Sequence, residues 1–555
     1  MTGPLDRSLS RRRFVTLAGT VVTGAAAGAL VPSWAQAAPS VAAPTLPDGL
    51  FTLGVASGDP LPDGVVLWTR LAPDPLAGGG MPARSVPVQW QVARDRRFRQ
   101  IVKNGTARAE PESGHSVHVD VRGLASDAEY FYRFKAGSDL SVIGRTRTAP
   151  RMDSNGRVQF AFTSCQNWQD GYFTAYDHLA EEDFAFVAFL GDYIYESAPA
   201  TSGYVRQHEG TGEPITLEQY RNRHAQYRTD RSLRKAHAAL PWVVTWDDHE
   251  LDNNWADDVP QDPDAQTPEA FRARRIAAFQ AYYEHMPLRR SAAPVGPDMR
   301  LYRGLSFGRT VRLSVLDTRQ YRSDQPATLE EAESPGRSIT GTAQERWLLH
   351  RLTGRSTWNV VANQVMIAQN DRLAGPGATF DFDNWDGYRA QRRRLLSTLG
   401  EAGVDNTVFV TGDRHASWVC DLKPDFDDPE SPVVGAELTG TSITSGGNPD
   451  TAAFHATYDP IKAESPHWKF IDNQRGYMAC DATGTALTTE LKVVSTVTQP
   501  GGTASTYARF VVTSGRPGVE VDYVAPRPAV VLRGRPEMGP AGPLPLDKGH
   551  GDTER

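Results

Sequence analysis

The stretch Phe184-Ala185-Phe186-Val187-Ala188-Phe189-Leu190 is an unbroken apolar run that stops at Gly191-Asp192-Tyr193-Ile194-Tyr195-Glu196. A short strand with no polar alternation is one buried on both faces, as in a parallel sheet covered by other layers. Just upstream, Val158 to Thr163 reads as a second apolar strand and Tyr172 to Ala180 as a helix. Strand, helix and strand make a βαβ unit, so the fold class is α/β. The pattern continues with a helix over Leu217 to Leu240 and a strand over Trp242 to Trp246. Thr267-Pro268-Glu269 supplies an N-cap and a proline at the first helical position, opening a helix to about His285. Further strands are expected at Val311–Leu316, Trp358–Ala362 and Thr407–Thr411, and helices near Ala343–Leu352 and Tyr388–Leu399. From about Ser417 to Val497 the reading returns to strands.

The flanks differ. Residues 1–37 read as a twin-arginine signal peptide: Arg11-Arg12 before Phe14, a mildly apolar stretch to Val31, then Ala35-Gln36-Ala37 as a cleavage site. Residues 47–148 carry short alternating runs such as Val88-Gln89-Trp90-Gln91-Val92 and Tyr130-Phe131-Tyr132-Arg133-Phe134, the pattern of a small β-sandwich. Residues 150–520 hold the α/β domain, and 525–555, rich in Pro, Gly and charge, read as a disordered tail. The formal net charge of -7 argues against a nucleic-acid-binding patch. Export by the twin-arginine machinery, without a stable membrane anchor, is expected. Three cysteines cannot form a disulfide framework.

Polar residues collect where apolar strands end. The strand Val158–Thr163 runs into Ser164-Cys165-Gln166, and Phe184–Leu190 into Asp192, Tyr195 and Glu196. Trp242–Trp246 runs into Asp247-Asp248-His249-Glu250, Trp358–Ala362 into Asn363-Gln364, and Thr407–Thr411 into Gly412-Asp413-Arg414-His415. In open α/β sheets ligands bind at the carboxyl ends of the strands. A single Asp there is an ordinary turn former; five such ends together read as metal ligation. Thiolate, phenolate, carboxylate and imidazole suit ferric iron, whereas carboxylate and amide oxygens suit calcium.

Gly191-Asp192-x-x-Tyr195, Asp247-Asp248-His249-Glu250, Gln364 six residues after Trp358, and Gly412-Asp413-x-His415 resemble altered calcineurin-type metallophosphoesterase blocks. The Asp-x-x-Tyr block has the purple acid phosphatase form. Cys165 stands where that group has its first Asp, Asp248 where it has Asn, Gln364 where it has His, and Asp413 where it has the first His of Gly-His-x-His. With these departures the chain resembles, over about residues 47 to 520, the alkaline phosphatase D family, which includes a secreted iron-dependent phospholipase D.

The resemblance implies a calcineurin-like αββα sandwich behind an immunoglobulin- or fibronectin-like β-sandwich. It implies Fe(3+) on Cys165, Asp192, Tyr195 and His415, and Ca(2+) on the bridging Asp192 with Asp248 and Asp413. Gln364 or Asn363, and Asn253 or Asn254, are further candidates. His249 is the candidate general acid or phosphate donor.

The expected activity is a secreted phosphoesterase in which a metal-activated water attacks phosphodiesters and phosphomonoesters. Its substrate would be a phospholipid, a teichoic polymer or a small ester. The alternative is a secreted phosphate-polymer or metal-binding protein without turnover. The metal-free phospholipase D chemistry, built on two His-x-Lys-(four residues)-Asp copies, is excluded: His467-Trp468-Lys469 begins one, but Gln474 stands at its Asp position. With Cys165 on iron, Cys420 and Cys480 are either a disulfide or two buried thiols. Arg206, Arg228, Arg319 and Arg322 are candidates to clamp a phosphate.

Overall fold

A computed structural model describes residues 46–354, 356–446 and 450–526. The twin-arginine segment and nearly all of the expected tail lie outside the described residues. Two large mixed sheets carry the molecule. In the ten-stranded sheet the order is Glu520–Val524, Ala504–Thr513, Ala486–Val494, Gly476–Ala482, Val158–Thr163, Phe186–Phe189, Pro241–Val244, Val55–Leu61, Gly64–Arg70 and Ser116–Arg122. In the seven-stranded sheet it is Arg303–Phe307, Val311–Val315, Trp358–Asn363, Thr407–Thr411, Gly435–Thr439, Ser417–Leu422 and Trp468–Asp472. The centres of both sheets are parallel, as the apolar runs predict: Val158–Thr163 on Phe186–Phe189 on Pro241–Val244, and Val311–Val315 on Trp358–Asn363 on Thr407–Thr411.

Alternate side chains along each strand enter different cores, the consequence of a period of two. Phe186, Ala188 and Leu190 pack with Phe160, Phe162, Val360, Ala362, Val408 and Val410 between the two sheets. Val187 and Phe189 face the other way, against Tyr176, Tyr220, Leu233 and Phe279 of the helices on that side. Val361 and Phe409 pack on Leu348, Leu352, Leu395 and Leu396 of the helices covering the second sheet. Each central strand is therefore wrapped on both faces, and the candidate ligands are left to its end.

Three expectations are corrected. The sandwich expected over 47–148 does have two sheets around one core, with Val65, Leu67, Val88, Val92, Tyr132 and Phe134 in contact. One of those sheets, however, is the edge of the main sheet, because Val55–Leu61 pairs in parallel with Pro241–Val244 at Ser57 and Gly58. Gly58 permits the approach: a Cβ there would lie 2.4 Å from the Pro287 carbonyl oxygen and 2.7 Å from that of Trp242. The helix expected over Leu217 to Leu240 is two, Leu217–Arg228 and Arg231–Ala239, because the Asp230 carboxylate caps the second by accepting from Ser232 N and Leu233 N. A helix, Thr451–Glu464, lies within the region read as strands. The cysteine alternatives resolve to thiols: Cys420 and Cys480 are buried, unpaired and on different sheets.

Candidate metal centre

The strand ends converge. Cys165, Asp192, Asp413 and His415 each follow a central strand, and each takes a left-handed backbone conformation, with φ of 58°, 58°, 65° and 53°. Non-glycine residues there carry local strain of about 1 kcal/mol or more each, which concentrates at functional sites. The strained turns are stitched together by Cys165 N donating to Gly191 O (3.1 Å), Gln166 N to Asp192 O (3.1 Å) and Ser445 N to Cys165 O (3.2 Å). Gly191, at φ 114°, lets two turns meet: a Cβ would fall 2.4 Å from Asp247 Cβ. Glu250 ties the same turns from below, accepting from Tyr193 N (2.7 Å), Asp192 N (3.1 Å) and Asp247 N (2.9 Å). The Glu of Asp-Asp-His-Glu is thus a brace for the loops carrying the candidate ligands.

Two groups of ligand atoms form. Cys165, Asp192 and His415 offer donors within 4.8 Å of one another, and so do Asp192, Asp248 and His249. Asp192 belongs to both. Tyr195 joins the first group, its hydroxyl donating to Asp192 Oδ2 at 2.8 Å, lying 3.0 Å from His415 Nε2 and accepting from Ser445 Oγ at 2.7 Å. Asp413 falls in neither group: burial pushes its carboxyl well above the usual range, and the neighbouring Asp247, Asp383 and Asp248 add to the shift against Arg414. Gln364 joins neither. Its Oε1 accepts from Thr318 N and Oγ1, and its Nε2 donates to Thr245 Oγ1 and Leu316 O, which uses all its hydrogen-bonding capacity. It is a strut between strand ends. Asn363 is likewise engaged by Val365 O, Thr411 Oγ1 and Trp385 Nε1.

His249 is the imidazole of the second group. Its ring stacks on Tyr195 with centroids 4.1 Å apart, and its Nδ1 is 2.7 Å from Glu196 Oε2. Glu196 is buried, and its other oxygen accepts from Asn253 N at 2.9 Å. Burial alone would lower the imidazole pKa, but the Glu196, Asp248 and Asp192 carboxylates outweigh it and hold the pKa well above the ordinary value.

Three of the four candidate phosphate-clamping arginines are held by carboxylates within the protein. Arg319 is fully buried between Asp247 (2.6 Å) and both oxygens of Asp383 (2.8 Å each). Arg322 also binds Asp383 (3.1 Å) and Arg206 binds Asp230 (2.7 Å), whereas Arg228 rests over the Trp68 ring without a carboxylate. Glu196, Asp383 and Ser445 carry no role in the sequence reading. Only Glu196, at a strand end, had a positional signal; Asp383 and Ser445 come from loops remote in sequence.

Residues 160–491 match the PhoD-like phosphatase family, and residues 35–150 match the N-terminal domain of PhoD-like phosphatases. Alkaline phosphatase D of Bacillus subtilis (strain 168) is 47% identical over 527 residues, covering 93% of this chain and 89% of the relative. The chain belongs to the PhoD-like phosphatase family. The solved structure of PhoD superposes with a TM-score of 0.83 at 47% identity, covering 87% of this chain and 94% of that one. A purple acid phosphatase from yellow lupin seeds shares the fold at a TM-score of 0.50 and 11% identity, covering 83% of this chain and 73% of its own.

Membership in the PhoD-like family makes the chain a phosphoric ester hydrolase of the metallophosphoesterase type and implies metal ions. The residues present fit them. Asp192 Oδ1 and Asp247 Oδ2 are buried with no hydrogen-bond partner. Burial pushes the Cys165 thiol, the Tyr195 phenol and the Asp192 carboxyl well above their ordinary values, and the surrounding carboxylates add to the shift. A cation reverses that balance by drawing off the protons, as metal binding to thiol, phenol and carboxyl ligands does.

Proposed function

We propose that this PhoD-like chain is a secreted phosphoesterase that hydrolyses phosphodiesters as well as phosphomonoesters, including headgroup release of the phospholipase D kind. The membership of Asp192 in both ligand groups carries the reading, because a shared carboxylate is what two-metal phosphoryl chemistry requires. Cys165, Asp192, Tyr195 and His415 would hold ferric iron. Asp192, Asp248 and Asp413 would hold calcium, with the Asn254 amide nitrogen donating to Asp248 Oδ2 (3.1 Å) and Asp383 Oδ2 (3.2 Å) to fix the acidic side chains. Bound there, the cations supply Lewis acidity toward the phosphoryl oxygens and lower the pKa of water.

The protein's own part is positioning and proton transfer. Glu196 engages His249 Nδ1, which leaves Nε2 as the nitrogen that gives a proton to the departing alcohol oxygen. Arg319 keeps Asp247 and Asp383 fixed beside Asp248, so the acidic wall keeps its shape as substrate enters. The engagement of Arg206, Arg319 and Arg322 by carboxylates supports the diester reading, since a strict monoesterase needs free cations for a phosphate dianion. The layers of helices, sheet, sheet and helices support a calcineurin-type sandwich, and the N-terminal pair of sheets supports an immunoglobulin- or fibronectin-like one. Arg11-Arg12 supports twin-arginine export.

The test is turnover of an aryl phosphate, a diaryl phosphate and phosphatidylcholine, with and without calcium chelation. Calcium-dependent turnover of both diesters supports the proposal. Monoester turnover a thousandfold above diester turnover removes its diesterase half. Zero turnover with both metals bound would make the protein a binder.

A further inference from the structure

Behind the metal centre lies a buried cluster of positive groups that the catalytic site does not use. Arg228 ends the helix Leu217–Arg228 and is fully buried. Its guanidinium rests over the Trp68 ring at 4.3 Å, and its one hydrogen bond is a long 3.4 Å contact from Nη1 to Tyr193 Oη. Nε and Nη2 have no partner. His224, one helical turn earlier on the same face, is fully buried with both ring nitrogens unpartnered, stacked on His285 at 5.0 Å and edge-on to Tyr282 at 6.1 Å. The Tyr282 hydroxyl and His237 Nδ1 are unpartnered as well. A neutral imidazole carries one N–H, so His224 presents a donor with nothing to receive it.

The charge balance sharpens the case. A second buried guanidinium, Arg70, donates to Gly114 O (2.8 Å) and contacts His285 Nε2 (2.7 Å), and it bonds to no carboxylate. The neighbouring carboxylates are committed. Glu284 is held by Arg221 through two 2.6 Å bonds, and Asp230 pairs with Arg206 while capping its helix. Buried charges are ordinarily paired, because an unpaired ion in a low-dielectric interior is strongly unfavourable. Water would satisfy the loose N–H groups but would leave the excess positive charge in place.

We propose that a small halide-class anion is bound here, held by Arg228 Nε and Nη2 and the His224 N–H, with Arg70 supplying further positive charge. Trp68 of the strand Gly64–Arg70, Arg228 and His224 of one helix, His237 of a second and His285 of a third are all buried, and a buried position favours a monatomic ion over the bulkier carboxylate or phosphate. Its consequence is mechanical. Arg228 holds Tyr193, which stands between Asp192 and Tyr195, so the anion fixes the base of the loop that carries two candidate ligands.

The probe is bromide. Crystals of the full chain grown in sodium bromide should give an anomalous peak in hydrogen-bond contact with Arg228. In solution, replacing gluconate by chloride at fixed ionic strength should raise the wild-type Tm saturably, by roughly 3 °C, and Arg228→Gln should abolish that response. Water at Arg228 with no anomalous peak in bromide overturns the proposal, and so does a halide response that survives Arg228→Gln. If Arg228→Gln does not fold, the bromide experiment on the wild type decides alone.

Discussion

Glu196→Gln is the most informative single change at the catalytic site. The two side chains have the same shape, and the amide oxygen can still accept from Asn253 N, so the loop is retained. What is lost is the negative charge 2.7 Å from His249 Nδ1. A buried charge-assisted hydrogen bond of this kind contributes about 1.5–3 kcal/mol, which is roughly 10- to 150-fold in rate if it acts through the proton-donating His249. The loss should fall on kcat for substrates with an alkyl leaving group such as choline and leave KM nearly unchanged.

A diester with a strongly acidic leaving group, bis(2,4-dinitrophenyl) phosphate, needs no proton and should be hydrolysed at nearly the wild-type rate. The pH profile carries the same signature. Carboxylates raise the His249 pKa, so the protonated acid persists upward in pH and is lost as pH passes that raised value. Removing one carboxylate lowers it, so the alkaline limb of kcat/KM should move to lower pH. Equal losses on both substrates with an unmoved alkaline limb would refute the proton-transfer role and leave Glu196 a structural residue.

Other changes have separable outcomes. Gln364→Ala should keep its metals by elemental analysis while losing about 2–4 kcal/mol of stability in denaturant titration, since Thr318 N and Oγ1 lose their acceptor while Thr245 Oγ1 and Leu316 O keep only each other. Tyr195→Phe should abolish the visible charge-transfer absorption expected of a tyrosinate on ferric iron; an unchanged spectrum would remove Tyr195 from the ligand set. Glu437→Gln, on the strand Gly435–Thr439, should destabilise by about 1–3 kcal/mol. Its carboxylate accepts from Ile367 N, Ala368 N and Thr411 Oγ1, and an amide NH2 would face one of those donors.

The sequence carried the parallel centre of both sheets, because apolar runs such as Phe184–Leu190 and Thr407–Thr411 can only be buried on both faces. It also carried the places where those runs stop, and with them the candidates that the fold brings together, Cys165, Asp192, Tyr195, Asp248 and His415. The reading failed where contacts leave no period. Gln364 occupies a ligand-like position in sequence, yet its amide turns back into the fold. The union of the first strands with the main sheet rests on a two-residue pairing at Ser57 and Gly58, which alternation does not reveal. Asp383 reaches the site through Arg319 and Arg322, so neither the arginines' partner nor their unsuitability as phosphate clamps could be read from spacing alone.

The central claim is that one carboxylate serves two metals. Iron and calcium per chain should be measured by elemental analysis in wild type and Asp192→Asn, alongside diester turnover of the same preparations. The account predicts stoichiometric iron with bound calcium in the wild type, and loss of both metals together with at least nine-tenths of the activity in the variant. Full turnover by an Asp192→Asn protein, or by a wild-type protein free of both metals, would contradict it.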